Sequence, residues 1–180
     1  MARVVSKSIA IIGEGETEWF YFDSLRIACR FPFKIAPDFP QHSDIHHVLK
    51  LVESYIDKQY DYVVCLFDMD RLYQNSAEMQ LYQRAKKKYG AKKYAGRVRF
   101  VETNPCTEFW FLLHFLPNVV CRRYDSYEQL LPELQKYMPG YEKLNVISSA
   151  PIFISILLRM VIWNVLFKIQ RSYVNCAKRL

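Results

Sequence analysis

The sequence predicts an α/β fold in which a central, mostly parallel β-sheet is flanked by helices. Residues 63–67, VVCLF, form a continuous apolar run rich in β-branched and aromatic types, as a strand buried on both faces requires. Near the N-terminus an apolar strand leads through a glycine turn into a helical pattern. Strand-length and helix-length segments then alternate, which is typical of a parallel sheet. At 180 residues the chain has the length of one ordinary domain.

Two strands and two helices are predicted ahead of the central strand. Ile9–Ile12 is the first strand and is followed by a turn that contains two glycines. Residues 17–29 carry apolar side chains at helical spacing, and residues 33–36 form a second strand. Asp44 is the predicted N-cap of a helix that extends to about residue 57.

The pattern continues after the central strand, residues 62–67. Ser76–Tyr89 is a predicted helix and residues 97–102 are a predicted strand. Another helix is predicted to begin at Asn104-Pro105, which places the proline near the first turn, where it is tolerated. Residues 126–137 form a last helix beside the sheet, interrupted by Pro132.

The cysteines indicate a reducing compartment. There are five of them, widely spaced and without a CxxC pair, and the sequence leads into its first strand without a signal peptide. We therefore expect a cytoplasmic protein. No cysteine or histidine spacing suits a structural zinc site.

Positive charge is concentrated in residues 84–99, which we call the basic block. This window contains eight basic residues and no acidic residue, whereas the whole chain has a net charge of +7. The eight are Arg84, Lys86, Lys87, Lys88, Lys92, Lys93, Arg97 and Arg99. Such a surface is expected where a protein contacts phosphate, and Tyr82, Tyr89 and Tyr94 add candidate rings for base stacking. The alternative is a face that only keeps the protein soluble.

The segment 151–169, PIFISILLRMVIWNVLFKI, is far more apolar than the rest of the chain. Arg159 and Asn164 interrupt it, and a central arginine costs at least ~2.5 kcal/mol inside a bilayer. We therefore expect a helix that packs on the protein or forms a homodimer rather than a membrane span. The basic residues that follow leave attachment to a membrane surface open.

Two carboxylates, Asp68 and Asp70, directly follow the central strand. If the strand continues to Asp70, its period of two places both side chains on one face at the carboxyl end of the sheet. Two such close negative charges repel each other unless a cation lies between them, which favours a hard divalent metal such as Mg²⁺. The alternative is that Asp-Met-Asp only ends the strand in a solvated turn.

Two more acids surround the first turn. Glu14 lies between Gly13 and Gly15, which permit a tight turn and close approach of a ligand to the backbone. Glu14 is therefore a candidate metal ligand or general base. Glu18 falls in the first turn of the following helix, where it either points back to the same site or only compensates the helix dipole.

A glutamate after the first strand and a DxD sequence after a later strand resemble the Toprim pattern of α/β nucleases and topoisomerases. Three phrases narrow the resemblance: EGETEWFYF from Glu14, CLFDMD from Cys65 and NPCTEFWFLLHF from Asn104. In this order they resemble the RloB-like family of Toprim proteins, which is associated with prokaryotic anti-phage and restriction loci. The resemblance covers Ile9 to about Tyr124, and from about residue 148 the motifs give no match.

The resemblance implies a role for each acid. Glu14 would be the general base or a metal ligand, Asp68 and Asp70 the metal pair, and Glu18 and Glu108 supporting carboxylates, with Mg²⁺ or Mn²⁺ as the cofactor. Glu108 is also notable physically, because this acid directly precedes the residues FWFLL of a strongly apolar helix, where its burial would require a partner such as a metal or an arginine.

Two functional hypotheses follow. The first is a metal-dependent Toprim nuclease of DNA or RNA in anti-phage defence, with residues 1–147 as the Toprim-like domain and residues 148–180 as a divergent helical tail. The second is a nucleic-acid-binding or regulatory module with weak catalysis that acts with a partner AAA-type ATPase. The chain has no G-x-x-x-x-G-K motif of its own, so any dependence on ATP would come from that partner.

Overall fold

A computed structural model of the protein describes residues 7–38, 44–94, 96–116 and 123–142. Within these ranges the strands are β1 (Ile9–Ile12), β2 (Phe33–Ala36), β3 (Tyr62–Asp68) and β4 (Val98–Thr103). The helices are α1 (Glu16–Cys29), α2 (Ile45–Asp57), α3 (Met69–Gln74), α4 (Ser76–Tyr89), α5 (Thr107–Phe115) and α6 (Tyr127–Gln135). The predicted apolar helix at 151–169 lies outside the described residues, and so does any dimer contact that it would make.

The four strands form one all-parallel sheet in the order β2-β1-β3-β4. The chain passes from β1 outward to β2 and then returns to β3 on the other side of β1. The segments after β1 and β3 therefore leave in opposite directions, which makes this pair of strands the topological switch point of the sheet. Ligands of open α/β sheets bind in the crevice at the carboxyl ends of such a pair.

Both faces of the two central strands, β1 and β3, are buried, which explains why these strands are almost continuously apolar, whereas the edge strand β4 is mostly exposed. On one face, alternate residues such as Ile12, Cys65 and Phe67 pack in one core with α2 and α4. Ile11 and Leu66, which point to the other face, are buried as well. A second core joins α1, α5 and α6 through Tyr21, Phe111, Leu112, Leu130 and Leu134.

The α/β class, the parallel sheet and the flanking helices are confirmed. The bounds of β1, β2 and α4 are as predicted, and the side chain of Asp44 accepts a hydrogen bond from the His47 amide at 2.8 Å as the N-cap of α2. One helix begins later than predicted, since α5 starts at Thr107. Cys106 is its N-cap and has an extended backbone, so Pro105 precedes the helix instead of lying in its first turn.

Two predictions about side chains are wrong. Strand β3 ends at Asp68 and helix α3 begins at Met69, so Asp68 and Asp70 do not share a strand face. Tyr82 and Tyr89 are not available for base stacking, because both are buried in the core between α4 and the sheet. None of the helices in the described ranges is long and apolar enough to cross a membrane.

Candidate metal centre

The carboxyl ends of β1 and β3 bring Glu14 and Asp68 together at the switch point. Glu14 follows β1 by two residues, and Asp68 is the last residue of β3. Both side chains are buried, and the Asp68 amide nitrogen lies 3.5 Å from Glu14 Oε2. The topology of the sheet thus places two acids, 54 residues apart in sequence, in the crevice where this class of fold binds ligands.

Glu18 joins these two acids from the first turn of α1. Its Oε2 atom accepts a hydrogen bond of 2.8 Å from the Gly15 amide, which satisfies one backbone donor at the start of the helix. A Cβ atom on Gly13 would lie 2.7 Å from Glu18 Cβ, so glycine is needed there for Glu18 to approach. The capping role is therefore observed. Glu18 is also only 3% exposed, and it is close enough to Asp68 for the charge of Asp68 to raise its pKa.

Asp68 is held in place by two threonines. Its Oδ1 atom accepts hydrogen bonds from Thr103 Oγ1 at 2.7 Å, from the Thr107 amide at 2.9 Å and from Thr107 Oγ1 at 2.9 Å. Thr103 is the residue of β4 paired with Asp68, and Thr107 opens α5. One carboxylate oxygen is thus fixed by the ends of two neighbouring elements, which orients the other oxygen of the group.

Glu108 is completely buried beside this group. The Tyr141 hydroxyl donates a hydrogen bond of 3.1 Å to Glu108 Oε1 from beyond the end of α6. Burial and the neighbouring Glu108 raise the pKa of Tyr141, so this hydroxyl stays protonated and remains a donor. The partner predicted for Glu108 was a metal or an arginine, and the structure adds a tyrosine that the sequence did not indicate.

Arg71 provides positive charge at the edge of the acidic group. Its Nη2 atom lies 2.9 Å from Glu14 Oε1 and 3.1 Å from Glu78 Oε2. The Arg71 side chain is 28% exposed, whereas the Glu14 side chain is only 7% exposed. Arg71 therefore bridges the buried acid of the crevice and an acid in the first turn of α4.

The buried acids of this group are costly to ionise without a metal. Burial raises the pKa of Glu14 to about 7, and Asp68 and Glu18 add to the rise although Arg71 opposes it. Burial also raises the pKa of Glu18 to about 7, followed by the charges of Asp68 and Glu108. Arg71 therefore does not offset the cost of burying these acids in their ionised form, and a further cation would stabilise that form.

The donor set fits a hard divalent cation in its chemistry. It consists of carboxylate oxygens, which Mg²⁺ and Mn²⁺ prefer over nitrogen and sulfur ligands. Within the described residues, however, no three acidic, histidine or cysteine side chains are arranged to hold a metal as they stand. A bound metal would compete with protein donors, because at least one oxygen of each of the four acids, Glu14, Glu18, Asp68 and Glu108, accepts a hydrogen bond.

Asp70 occupies a different position from the one its spacing predicted. It lies in the first turn of α3 and is half-buried, and its Oδ1 atom accepts a hydrogen bond of 2.7 Å from the Arg71 amide. Its own amide donates to the Pro105 carbonyl at 3.0 Å, which ties α3 to the segment before α5. Its assignment as a metal ligand therefore rests on the family resemblance and remains a prediction.

A model of the RloB-like protein family matches residues 9–170 of the chain. The chain belongs to the RloB-like family. The match extends beyond Tyr124, where the motifs that suggested it end, and includes residues 148–170 of the predicted tail. No curated protein and no solved structure matched this RloB-like chain. The family is confirmed, while the Toprim assignment and the nuclease and defence roles remain predictions.

The basic block of this RloB-like protein is divided between exposed and structural residues. Lys86 pairs with Glu102 at 2.5 Å and Lys88 with Glu53 at 2.9 Å. Arg97 donates to the carbonyls of Tyr60 and Ile56, and Arg99 donates to that of Gly96. Among the described residues, Arg84, Lys87, Lys92 and Lys93 are exposed and have no carboxylate partner. These four are the residues of the block most available to phosphate.

The raised pKa values of Glu14 and Glu18 predict how the stability of the metal-free protein depends on pH. The folded state keeps both carboxyls protonated up to about pH 7, whereas the unfolded chain ionises them near pH 4.5. Their stabilising contribution is thus fully present below about pH 4.5 and is lost as the pH rises to about 7. Each pKa unit corresponds to about 1.4 kcal/mol per group.

Urea unfolding in EDTA at pH 5, 6, 7 and 8 measures this effect. Because other acids also titrate, the comparison is with Glu14→Gln and Glu18→Gln, which keep the shape of the side chain but cannot ionise. We expect each variant to lose less stability than the wild type between pH 5 and 8. Parallel curves for wild type and variants would contradict the pKa assignment.

Proposed function

We propose that this RloB-like protein is a metal-dependent nuclease that hydrolyses phosphodiester bonds of DNA or RNA. The observation that carries the proposal is the group of four buried carboxylates, Glu14, Glu18, Asp68 and Glu108, at the switch point of a parallel sheet. Buried acids with raised pKa values are typical of sites that bind a cation or move a proton. The family resemblance further supports a Toprim-like active site and a role in cytoplasmic anti-phage defence.

The chain's own residues have distinct roles in this proposal. Glu14 is the candidate general base, because a pKa of about 7 suits proton transfer near neutral pH. Asp68 is the candidate ligand whose orientation Thr103 and Thr107 fix, and Glu18 completes the negative charge of the crevice. A bound Mg²⁺ or Mn²⁺ ion would neutralise these acids and supply Lewis-acid polarisation of the phosphodiester.

Arg71 would set how easily a metal enters. The ion pair with Arg71 stabilises the ionised form of Glu14 when no metal is bound. A metal ion bound by Glu14 would compete with this guanidinium for the carboxylate. Glu78 places a second carboxylate beside Arg71, so the arginine would keep an acidic partner if Glu14 bound a cation. The guanidinium would then lie beside the metal centre with donors suited to a phosphate oxygen.

The basic block is the proposed contact for the nucleic-acid backbone, and its salt dependence is testable. Arg84 and Lys87 are one helical turn apart on α4 and have no acidic partner among the described residues. We expect Arg84→Glu with Lys87→Glu to weaken binding of DNA or RNA. The slope of log affinity against log salt should fall by about 2, since each phosphate contact contributes about 0.9 for duplex DNA.

The matched control for this measurement is Lys50→Glu with Lys58→Glu, which makes the same change in net charge at exposed positions outside the block. Binding is measured by fluorescence anisotropy in EDTA over a range of salt concentrations. Equal slopes for the block variant and the wild type would place the contact elsewhere. Equal losses in both variants would indicate that only net charge matters.

A second candidate function is a binding or regulatory module that acts with a partner AAA-type ATPase. The observation that favours it is the Arg71 ion pair, because an internal cation can keep the acidic crevice folded without any metal. Titration of the purified chain with Mg²⁺ and Mn²⁺, followed by incubation with DNA and RNA, separates the two functions. Metal binding with cleavage supports the nuclease; nucleic-acid binding without cleavage, even beside the ATPase, supports the module.

A further inference from the structure

A cavity of about 340 Å³ opens at the amino ends of β1, β3 and β4, at the end of the sheet opposite the carboxylates. It is lined chiefly by Lys7, Tyr60, Tyr62, Lys93, Tyr94 and Arg97. Strand β3 has seven residues and rises about 3.3 Å per residue, so roughly 20 Å separates this cavity from the carboxylates. The cavity is therefore separate from the carboxylate group, although Lys93 and Arg97 of the basic block line it.

The charge of the cavity is positive. Three basic side chains line it, and Asp61 is the single acid among its lining residues. Asp61 accepts hydrogen bonds from the Ser8 amide at 2.8 Å and from Ser8 Oγ at 2.9 Å, while Lys7 is 3.5 Å away. The acid is thus largely engaged by Ser8, and the cavity keeps an excess of cationic donors.

Two of these cations are well placed for an anionic ligand. The Arg97 guanidinium is held by the carbonyls of Tyr60 and Ile56 at 2.5 and 2.8 Å, so its position is fixed before any ligand arrives. Lys93 Nζ lies 4.8 Å from the centre of the Tyr94 ring and has no carboxylate partner among the described residues. Lys93 is therefore free to bind a phosphate group.

The cavity also offers aromatic surface. Tyr62, at the start of β3, exposes 40% of its large and mostly apolar side chain. Tyr60 and Tyr94 also line the cavity and are half-buried. Exposed tyrosines next to unpaired cations are the combination that binds a base by stacking and a phosphate by charge. A volume of about 340 Å³ lies within the range of small-molecule sites and suits one nucleotide.

We propose that this cavity is a second, non-catalytic site that binds a nucleotide, with its phosphate on Lys93 and Arg97 and its base against Tyr62. The nucleotide is either a free nucleoside phosphate or the terminal nucleotide of a strand. Both ligands have this chemistry. A site for free nucleotides would bind a mononucleotide, whereas a site for strand ends would bind only the strand. Lys93 and Arg97 also belong to the basic block, so the proposal deepens the nucleic-acid contact of the proposed function. It requires neither metal nor cleavage, so it can hold or fail independently of the nuclease activity.

The test is calorimetric titration of the full-length chain in EDTA with AMP, with inorganic phosphate and with a 5′-phosphorylated eight-nucleotide strand. We expect AMP to bind more tightly than inorganic phosphate if free nucleotides are the source, and only the strand to bind if strand ends are. In either case Lys93→Glu should lower the affinity by about tenfold or more, since it replaces a charge-assisted contact by repulsion. Tyr62→Leu should lower it about fivefold or more, the lower limit for loss of one base stack.

Lys50→Glu is the matched control, because it makes the same charge change on an exposed lysine of α2 outside the cavity. Its affinity should equal that of the wild type. The proposal is overturned if neither AMP nor the strand binds, if inorganic phosphate binds as tightly as whichever of the two does bind, or if Lys93→Glu has no larger effect than Lys50→Glu. Circular dichroism of each variant confirms that a loss of affinity does not reflect unfolding.

Discussion

The Glu14→Gln variant is expected to bind nucleic acid as the wild type does and to cut it ~10² to 10⁴ times more slowly, the usual effect of losing a general base. Glutamine keeps the size of the buried side chain and can still accept the hydrogen bond from Arg71 Nη2. It cannot accept a proton from water or contribute a negative charge to a metal site. The defect should therefore appear in turnover rather than in affinity.

Glu16→Gln is the matched control for this variant. Glu16 lies two residues further along the same stretch, in the first turn of α1, and is only partly buried. Single-turnover cleavage of labelled DNA and RNA with Mg²⁺ or Mn²⁺ measures the rate, and anisotropy in EDTA measures the affinity. Cleavage retained by Glu14→Gln, or lost equally in Glu16→Gln, would contradict the assignment of Glu14 as the general base.

The sequence was sufficient for the parts of the fold that local patterns determine. The strands β1 and β2 and the helix α4 were predicted with their observed bounds, because uninterrupted apolar runs and helical periodicity mark buried strands and amphipathic helices. Helix α3 was missed, since six residues are too few to display a helical period. Extending β3 through Met69 was the resulting mistake, and it placed Asp70 on the wrong element.

The tyrosines of α4 illustrate a second limit. Tyr82, Ala85 and Tyr89 follow one another at helical spacing and form the buried face of this helix. The Tyr82 hydroxyl donates a hydrogen bond to Glu102, while the aromatic ring packs on Phe67 and Phe100. The scarcity of aliphatic residues in α4 was the available sign that its tyrosines had to serve as core residues.

The acids of the candidate site could be found from sequence because they lie in short motifs, whereas their partners could not. Tyr141 contacts Glu108 across 33 residues, and Arg71 contacts Glu14 across 57. Only the sheet order brings such groups together. Thr103 is intermediate in this respect, since a residue at the carboxyl end of β4 is expected beside Asp68 once β3 and β4 are known to be neighbours.

Replacing Asp68 by Asn should remove metal binding while leaving the protein folded. An asparagine carbonyl oxygen can accept the three hydrogen bonds that Thr103 and Thr107 donate to Oδ1, although neutral bonds are weaker than charge-assisted ones. Removing a negative charge beside Glu14 and Glu18 offsets part of that loss, because repulsion within the acidic group falls. We therefore expect only a small change in the free energy of unfolding of the metal-free protein.

The effect on metal affinity should be far larger. Changing a residue that merely orients a ligand costs about 10–100-fold in affinity, so loss of the Asp68 charge itself should cost at least ~100-fold. Asp70→Asn, alone and combined with Asp68→Asn, tests whether a residue of α3 reaches the same ion. Asp44→Asn is the control, since asparagine is as good an N-cap as aspartate and Asp44 is exposed at the start of α2.

Calorimetric titration with Mn²⁺ gives the affinity of each variant. We choose pH 8 because it is above the pKa of about 7 of both Glu14 and Glu18, so both acids are mostly ionised. A loss with Asp68→Asn and none with Asp70→Asn would confine the centre to the acids of the switch point. A loss with both would mean that α3 turns its first acid toward the ion when the metal enters. Unchanged Mn²⁺ affinity in the Asp68→Asn variant would refute the metal centre, because the group that Thr103 and Thr107 position in the crevice would then have no part in holding a cation.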